Sequence, residues 1–414
     1  MAPGTAIAFW LSLASLFYVY VGFPGLLAIF GQLRQRRVRK SPITPTISLI
    51  IAAYNEAENI AERLDNALGL DYPAGALEII VASDGSDDAT EAIVASYAPR
   101  GVRLLRLPRR GKIHALNAAV AHPRGEILVF SDANSIYDRE ALRKLVRNFA
   151  DLGVGGAAGY TSYLIRANSQ SSSRGENLYW TYDTWLKQME SLTGNTVSAH
   201  GGMYAIRREL YCPLADPAVT DDFAISTGVI EQGRRLVFEP EARAYEIAVP
   251  EAGREFQRRV RLMTRGLRAV LLRKRLLNPF RYGFYSLVLF SHKVLRRLLP
   301  LTLIILLVSS AHLRSNGILY SAAFVGQILF YGLAAAGYFL KGSPLGQWKC
   351  FYVPFFYCMA NAASLVALFK LIRGEKISLW QPQRHRTGAQ LGTLPPNSPQ
   401  NSSSRTRNSL TNVD

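Results

Sequence analysis

The chain has 414 residues, with 48 Lys and Arg against 30 Asp and Glu and a formal net charge of +18. Such a balance suits nucleic acid, an anionic membrane surface or a phosphorylated substrate. Three cysteines, Cys212, Cys350 and Cys358, supply neither a disulfide framework nor metal-ligand spacing, which excludes a disulfide-stapled scaffold. In chain order, the first element is a run without charge, AIAFWLSLASLFYVYVGFPGLLAIF at 6–30. About 20 such residues span a bilayer as a helix. The run lacks the basic start and short apolar core of a signal peptide. It is followed by GQLRQRRVRK, with five Arg and Lys in ten residues, which by the positive-inside rule places that end in the cytoplasm. Residues 1–40 read as a retained transmembrane helix with a basic juxtamembrane segment.

Residues 41–280 alternate between strand and helix patterns. TISLIIAAY (46–54), LEIIVASD (77–84), VRLLRL (102–107) and EILVFSD (126–132) read as strands. AENIAERLDNAL (57–68), DDATEAIVASYA (87–98), IHALNAAVAHP (113–123) and DREALRKLVRNFA (138–150) read as the helices between them. Apolar strands separated by helices predict a parallel sheet covered on both faces, an α/β domain. Ligands of such sheets sit at the carboxyl ends of the strands, near a switch in strand order. Those ends carry Tyr54-Asn55-Glu56, Asp84-Gly85-Ser86 and Asp132-Ala133-Asn134. AAYNEAEN after the first strand has no glycine, which argues against a dinucleotide fold, and GKIHALN is not a Walker loop. A divalent cation with lysine or arginine would have to hold any phosphate.

Beyond 280 the chain turns apolar again. FYSLVLFSHKVLRRL (284–298) mixes aromatic and basic residues, as a helix in the headgroup layer does. It alternatively continues into LPLTLIILLVSSAHL (299–313). Residues 317–340 and 350–369 carry no charge. Residues 281–380 thus read as an interfacial helix and C-terminal transmembrane helices, and 381–414 as a disordered tail rich in Ser, Asn and Pro. One N-terminal and three C-terminal spans would put residue 371 onward outside the cell. Yet KLIRGEK and QRHR there are basic. A re-entrant segment, a double crossing within 280–313, or a tail that breaks the rule would each reconcile the two.

Six motifs, AAYNEAEN, VASDGSDD, GKIHALN, FSDAN, GGMYAIRRE and TDDF, occur in this order. With the flanking apolar helices they resemble a membrane-bound family 2 inverting glycosyltransferase of the cellulose, hyaluronan and poly-N-acetylglucosamine synthase type. The resemblance covers roughly residues 40–300. It implies a GT-A fold, a Rossmann-like sheet that binds a nucleotide sugar, with a UDP sugar as the expected donor. It also implies a saccharide or lipid-linked acceptor and an integral protein of the inner membrane with its catalytic domain in the cytoplasm. By the same resemblance Tyr54, Glu56 and Asp84 surround the nucleoside, with Asp84 accepting from the uracil edge, and Lys112 meets uridine or phosphate. Asp132 begins the metal motif, with Asn134 in place of the usual second Asp, for Mg²⁺ or Mn²⁺. Asp222 is the general base and Asp221 its neighbour, whose charge raises the base's pKa. Thr-Asp-Asp is equally an ordinary helix N-cap.

In QRRVRL (257–262), aligning on Arg261 puts Arg258 in the family's glutamine place and Leu262 in its tryptophan place. Both arginines suit a diphosphate, whereas the aromatic acceptor platform is missing. A basic helix beside the membrane is the plainer reading of the same residues. His200, Gly201 and Gly202 are candidates for acceptor contact. Trp180 and Trp185 would line an acceptor groove or simply pack. Trp380 and Arg384 resemble a juxtamembrane motif of some relatives. Two rivals remain. An inactive transferase-like scaffold is opposed by Asp84, Asp132, Asp222 and Arg261. A nucleic-acid binder rests on charge alone, and that charge clusters beside the apolar segments, where anionic lipid fits better.

Overall fold

The structure, a computed structural model, describes residues 3–164, 173–247 and 255–376. The Trp180 side chain, Trp380, Arg384 and the 381–414 tail lie outside what it describes. Eight strands form one sheet: β1 Ile47–Ala53, β2 Leu77–Asp84, β3 Val102–Leu107, β4 Ile127–Asp132, β5 Ser135–Tyr137, β6 Val154–Leu164, β7 Tyr204–Arg207 and β8 Arg235–Ile247. Their order is β3-β2-β1-β4-β7-β6-β8-β5. The first four strands are parallel, as expected. The far half is mixed, with β7 antiparallel to both β4 and β6. A wholly parallel sheet is therefore corrected to a GT-A-like mixed one. The four added strands follow the parallel set in sequence, where short alternating runs gave little signal.

Strand periodicity of two sends alternate residues to opposite faces. Ile50, Ala52, Ile80, Leu128 and Phe130 face one core, which takes in Phe23 and Leu27 of the first apolar helix. Ile47, Leu49, Ile51, Ile79 and Val129 face the other, with Ile60 and Leu64. Both faces are covered, which is why the strands read as continuous apolar runs. The helices are shorter than their sequence patterns: α2 Ile60–Leu68, α3 Thr90–Ser96, α4 Lys112–Ala119 and α5 Ala141–Val146. Polar strand ends and turns occupy the difference. β1 neighbours β2 on one side and β4 on the other, so the order switches at β1, and the ends of β1 and β4 flank one crevice.

Four helices are long and apolar enough to cross a membrane: α1 Pro3–Arg34, α9 Phe284–Asn316, α10 Ile318–Phe339 and α11 Lys349–Ile372. Between the sheet and these lie α6 Ser173–Thr193, α7 Asp221–Glu231 and α8 Glu255–Leu272. Residues 284–298 are not a separate interfacial helix. They run into the 299–313 span through a π-helical stretch, Phe290–Leu295. The helix with alternating basic and apolar faces is instead α8, whose Val260 and Met263 pack on Ala363 and Ala367 of α11. Phe9 packs on Leu306 and Leu313 at the far end of α9, and Tyr18 hydrogen-bonds Ser291 at the sheet end.

Helix α11 departs from the others. Early in it, the Phe351 carbonyl lies where a side chain on Gly337, near the end of α10, would sit, and Tyr20 donates to Tyr357 at 3.1 Å. Late in it, Ser364 Oγ donates to the Arg297 carbonyl at 3.0 Å. Lys376, just past its end, acts electrostatically on Asp216 of the sheet domain. Both halves of α11 thus meet the sheet-domain ends of their neighbours.

Candidate active site

The strand ends build a cleft from carboxylates. After β1, Asn55 takes a left-handed backbone (φ 53°) that asparagine tolerates better than most residues. Its side chain accepts from the Asp87 amide at 2.9 Å, which ties the β1 and β2 loops together. Glu56 is buried and accepts from Asn59 Nδ2 at 2.8 Å. Burial pushes its pKa up to about 7; the Asn59 bond opposes this, and the charges of Asp132 and Asp88 add to it.

Asp84, at the end of β2, is 1% exposed. Its carboxylate pairs with Arg109 and accepts from the amides of Arg110 at 2.8 Å and Gly111 at 2.9 Å. It therefore fixes the loop leading into α4, a role the sequence reading did not give it. Gly85 (φ 68°) allows the approach, since a Cβ there would lie 2.7 Å from the Arg109 nitrogen. The Arg109 guanidinium lies 3.4 Å from the centre of the Tyr54 ring. Tyr54, Asp84 and Arg109 thus make one wall, and Arg109 was missed because nothing marks it among the arginines of LPRRGK.

Lys112 opens α4 and reaches Asp132 Oδ1 at 2.6 Å and Asp221 Oδ2 at 2.9 Å. Burial alone would push its ammonium toward neutrality, but Asp132 and then Asp221 outweigh that and hold it charged. One side chain thus joins the end of β4 to the start of α7, 89 residues apart by number (221 minus 132). Asp221 is desolvated, yet Lys112 keeps its pKa below the usual carboxylate range. Asp222 is raised to about 6, first by desolvation and second by the charge of Asp221. Thr220 holds the N-cap position of α7 but makes no side-chain cap. Asp222 accepts the Phe223 amide at 2.7 Å instead. Arg265 of α8 anchors the preceding loop, donating to the Val219 carbonyl at 2.6 Å.

Two further groups close the cleft. Glu246 of β8 is buried and accepts from Ser135 Oγ at 2.8 Å. Burial and then Asp132 push its pKa up to about 7, while Arg258 opposes. The sequence reading missed Glu246, an isolated acid far from every motif. Gly201 and Gly202 lie against these acids. A Cβ on Gly201 would fall 2.9 Å from Asp132 Oδ2, and one on Gly202 would fall 2.5 Å from Glu246 Oε1. His200 is held neutral, its pKa pushed down to about 4 by burial and by Lys187.

On α8, Arg258, Arg261 and Arg265 fall on one helical face. Arg258 pairs with Glu255 at 3.5 Å and reaches Glu246 electrostatically. Arg261 is flanked by the other two arginines. Leu262 is 48% exposed on the same helix. Trp185 packs against the core edge and stacks on Tyr182, which is its packing role.

Asp132 and Asn134 offer hard oxygen ligands, and Asn134 is exposed in the turn after β4. Among the described residues no three His, Cys, Asp or Glu side chains can hold a metal by themselves. The site nevertheless fits a divalent cation. Glu56 and Glu246 both face the charge of Asp132, and a cation shared with ligand phosphates would relieve that repulsion.

Residues 48–212 match the family model for glycosyl transferase family 2, and the chain carries that domain. A beta-monoglucosyldiacylglycerol synthase of Trichormus variabilis is 26% identical over 214 residues, 50% of this chain and 46% of that protein. A poly-beta-1,6-N-acetyl-D-glucosamine synthase of Staphylococcus aureus is 27% identical over 236 residues, 55% of this chain and 56% of that protein. The chain thus spans about half the length of these curated relatives. A mannosyltransferase of Pyrobaculum calidifontis, solved with GDP-Man and Mn²⁺, shares the fold: TM-score 0.66, 24% identity, 89% of this chain and 100% of that one.

Proposed function

We propose that this chain is a membrane-bound, metal-dependent inverting glycosyltransferase that moves a sugar from a nucleotide donor, a UDP sugar by our reading, to a saccharide or lipid-linked acceptor. The observation that carries the reading is the Lys112 bridge. It brings the acid of the donor motif, Asp132, against the carboxylate pair in which Asp222 has a pKa of about 6. A general base works best near the operating pH. The acceptor hydroxyl oxygen attacks the anomeric carbon, and Asp222 takes its proton as the bond to the diphosphate breaks. The electron pair of that bond leaves with the nucleoside diphosphate.

Tyr54, backed by Arg109, offers a face for the base of the nucleotide. Lys112, Arg258 and Arg261 offset the charge that builds on the diphosphate. Asp132 and Asn134 would hold Mg²⁺ or Mn²⁺, which when bound supplies Lewis-acid stabilisation of the leaving group. The neutral imidazole of His200 is a candidate acceptor contact that adds no charge, and the bare backbone of Gly201 and Gly202 lets Asp132 and Glu246 pack close beside it. Incubating membranes with radiolabelled UDP- and GDP-sugars tests the reading. Labelled product from wild type and none from Asp222→Asn supports it, and equal labelling by both rejects it.

Orientation follows from the helices. The basic stretch after α1 favours the cytoplasmic side for the sheet domain. On this reading α1, α9 and α10 cross, and α11 lies along the sheet-domain side of the bilayer, a course that the contacts of its two halves support. Three crossings return the basic 370–376 segment to that same side. That course, akin to the re-entrant alternative, is the one we favour for reconciling span count with charge.

A further inference from the structure

The helices carry a groove that the transfer reaction as described does not use. It has a volume of about 550 Å³, within the range of ligand pockets, and its lining is almost wholly apolar. Pro300, Leu303 and Ile304 of α9 form one side, Ala335 of α10 a second, and Asn361 and Ala362 of α11 the third. The α9 and α10 walls are apolar enough to cross a bilayer, and α11 bounds the groove on the sheet-domain side, which sets the groove where the headgroup layer meets hydrocarbon on the orientation proposed above.

Two cations precede the groove along α9, the nearer of them, Arg297, three residues before Pro300. Ser364, between the groove residues of α11, bonds the Arg297 carbonyl. Along α9, Lys293, Arg297, Pro300 and Ile304 follow at intervals of four, three and four, a single helical stripe. Arg297 is within electrostatic reach of Lys293. Lys293 in turn reaches Asp222 and His200, and its ammonium lies 6.0 Å from the Phe223 ring centre. The stripe runs from the base, past two cations, into the groove. Depth agrees. Helix α9 has 33 residues, about 50 Å at 1.5 Å each. A hydrocarbon layer of about 30 Å takes about 20 of them. Counted back from Asn316, the layer ends near Arg297.

We infer that the groove receives the hydrocarbon tail of the acceptor and that Lys293 and Arg297 receive a phosphate between that tail and the accepting hydroxyl. The acceptor class is thus an anionic phospholipid or lipid-phosphate-linked sugar, and not a neutral lipid or a free saccharide. The inference rests on the transfer reading for the identity of the occupant as acceptor, whereas its binding test does not use transfer.

The test measures retention of radiolabelled lipid by the full-length protein in neutral detergent. The probes are dioleoyl phosphatidylglycerol, dioleoylglycerol, which has the same tails and no charge, and glycerophosphoglycerol, which has the same head and no tails. UDP binding is measured in parallel as a check of folding. Wild type should retain phosphatidylglycerol about tenfold over dioleoylglycerol, with glycerophosphoglycerol failing to compete. Arg297→Gln should remove most of that preference. Ala335→Trp and Ala362→Phe, at exposed positions of the groove, should each lower retention about fivefold with UDP binding intact. Equal retention of the two lipids, competition by glycerophosphoglycerol, or unchanged retention in both groove variants would overturn the inference. Absent sugar transfer with lipid retention as expected would instead count against the transferase reading.

Discussion

Asp84 and Asp222 stand on opposite sides of one cleft, and their surroundings differ. Asp84 takes an arginine and two backbone amides, so its charge is spent within the protein. Asp222 takes one amide of its own helix, faces a second carboxylate, and is held up to about 6. A saturated carboxylate shapes a wall, whereas an under-satisfied one can accept a proton. On the proposed reading, the donor side is therefore a fixed scaffold, and the base side is where chemistry remains to be done.

The sharpest break of this comparison is Asp222→Asn. Shape is kept and the proton acceptor removed, so transfer should fall by about 10²–10⁴-fold while UDP affinity stays within about twofold of wild type. Single-turnover rates and UDP titration separate the two. The pH profile gives the sign. Asp222 works deprotonated, so transfer should decline as pH falls through about 6. Asp221→Asn removes the neighbouring charge and should move that midpoint down. An unmoved midpoint would assign the titration elsewhere.

Next in size is the metal. Chelation with EDTA should stop transfer, and Mg²⁺ or Mn²⁺ should restore it, with Asp132→Ala mimicking chelation in both cases. Full activity in EDTA would leave Lys112 and the α8 arginines as the sole counter-charge. Gly201→Ala tests the same acid from behind. Its Cβ would sit 2.9 Å from Asp132 Oδ2, so Asp132 must shift, and the metal concentration for half-maximal activity should rise about tenfold. Asp84→Asn, by contrast, should act mainly through the fold. It weakens the Arg109 pair and loosens the 109–111 loop, lowering the melting temperature and UDP affinity together.

The parallel half of the sheet was legible because both faces are buried and every strand is an apolar run. Asp132 and Asp222 were singled out as candidates because they lie within recognisable motifs, FSDAN and TDDF. The bridge between them was not, since Lys112 carries no signal of which of two distant acids it meets. Glu246 and Arg265 act on the site from β8 and α8, and neither belongs to a motif that would announce it. Hydropathy counted α11 as a span because it reads composition. Contacts at its two halves support the non-crossing course proposed above, and these involve Arg297, Gly337 and Lys376, residues that hydropathy weighs only as averages. A cysteine at Lys376 should therefore react with an impermeant maleimide from the same side as native, exposed Cys212. Labelling from opposite sides would restore a fourth crossing.

The smallest effect concerns product length. A transferase that adds many sugars has to hold its product between additions, and flat aromatic faces do this by stacking on sugar rings. By the resemblance of QRRVRL to the family pattern, Leu262 falls in the tryptophan place, and at 48% exposure it offers apolar area without a flat face. Trp185, the nearest described candidate for a substitute, is engaged with Tyr182 and the core edge. Three crossing helices, as proposed, also leave little room for a polymer channel within one chain. We therefore expect one or a few additions per acceptor. With donor in excess, products sized by mass spectrometry should be extended by single sugars, and Leu262→Trp should lengthen them modestly without changing the rate of the first addition. Long polymer from wild type while most acceptor is untouched would show that the holding surface lies elsewhere, and Trp185→Ala would then be the first variant to shorten it.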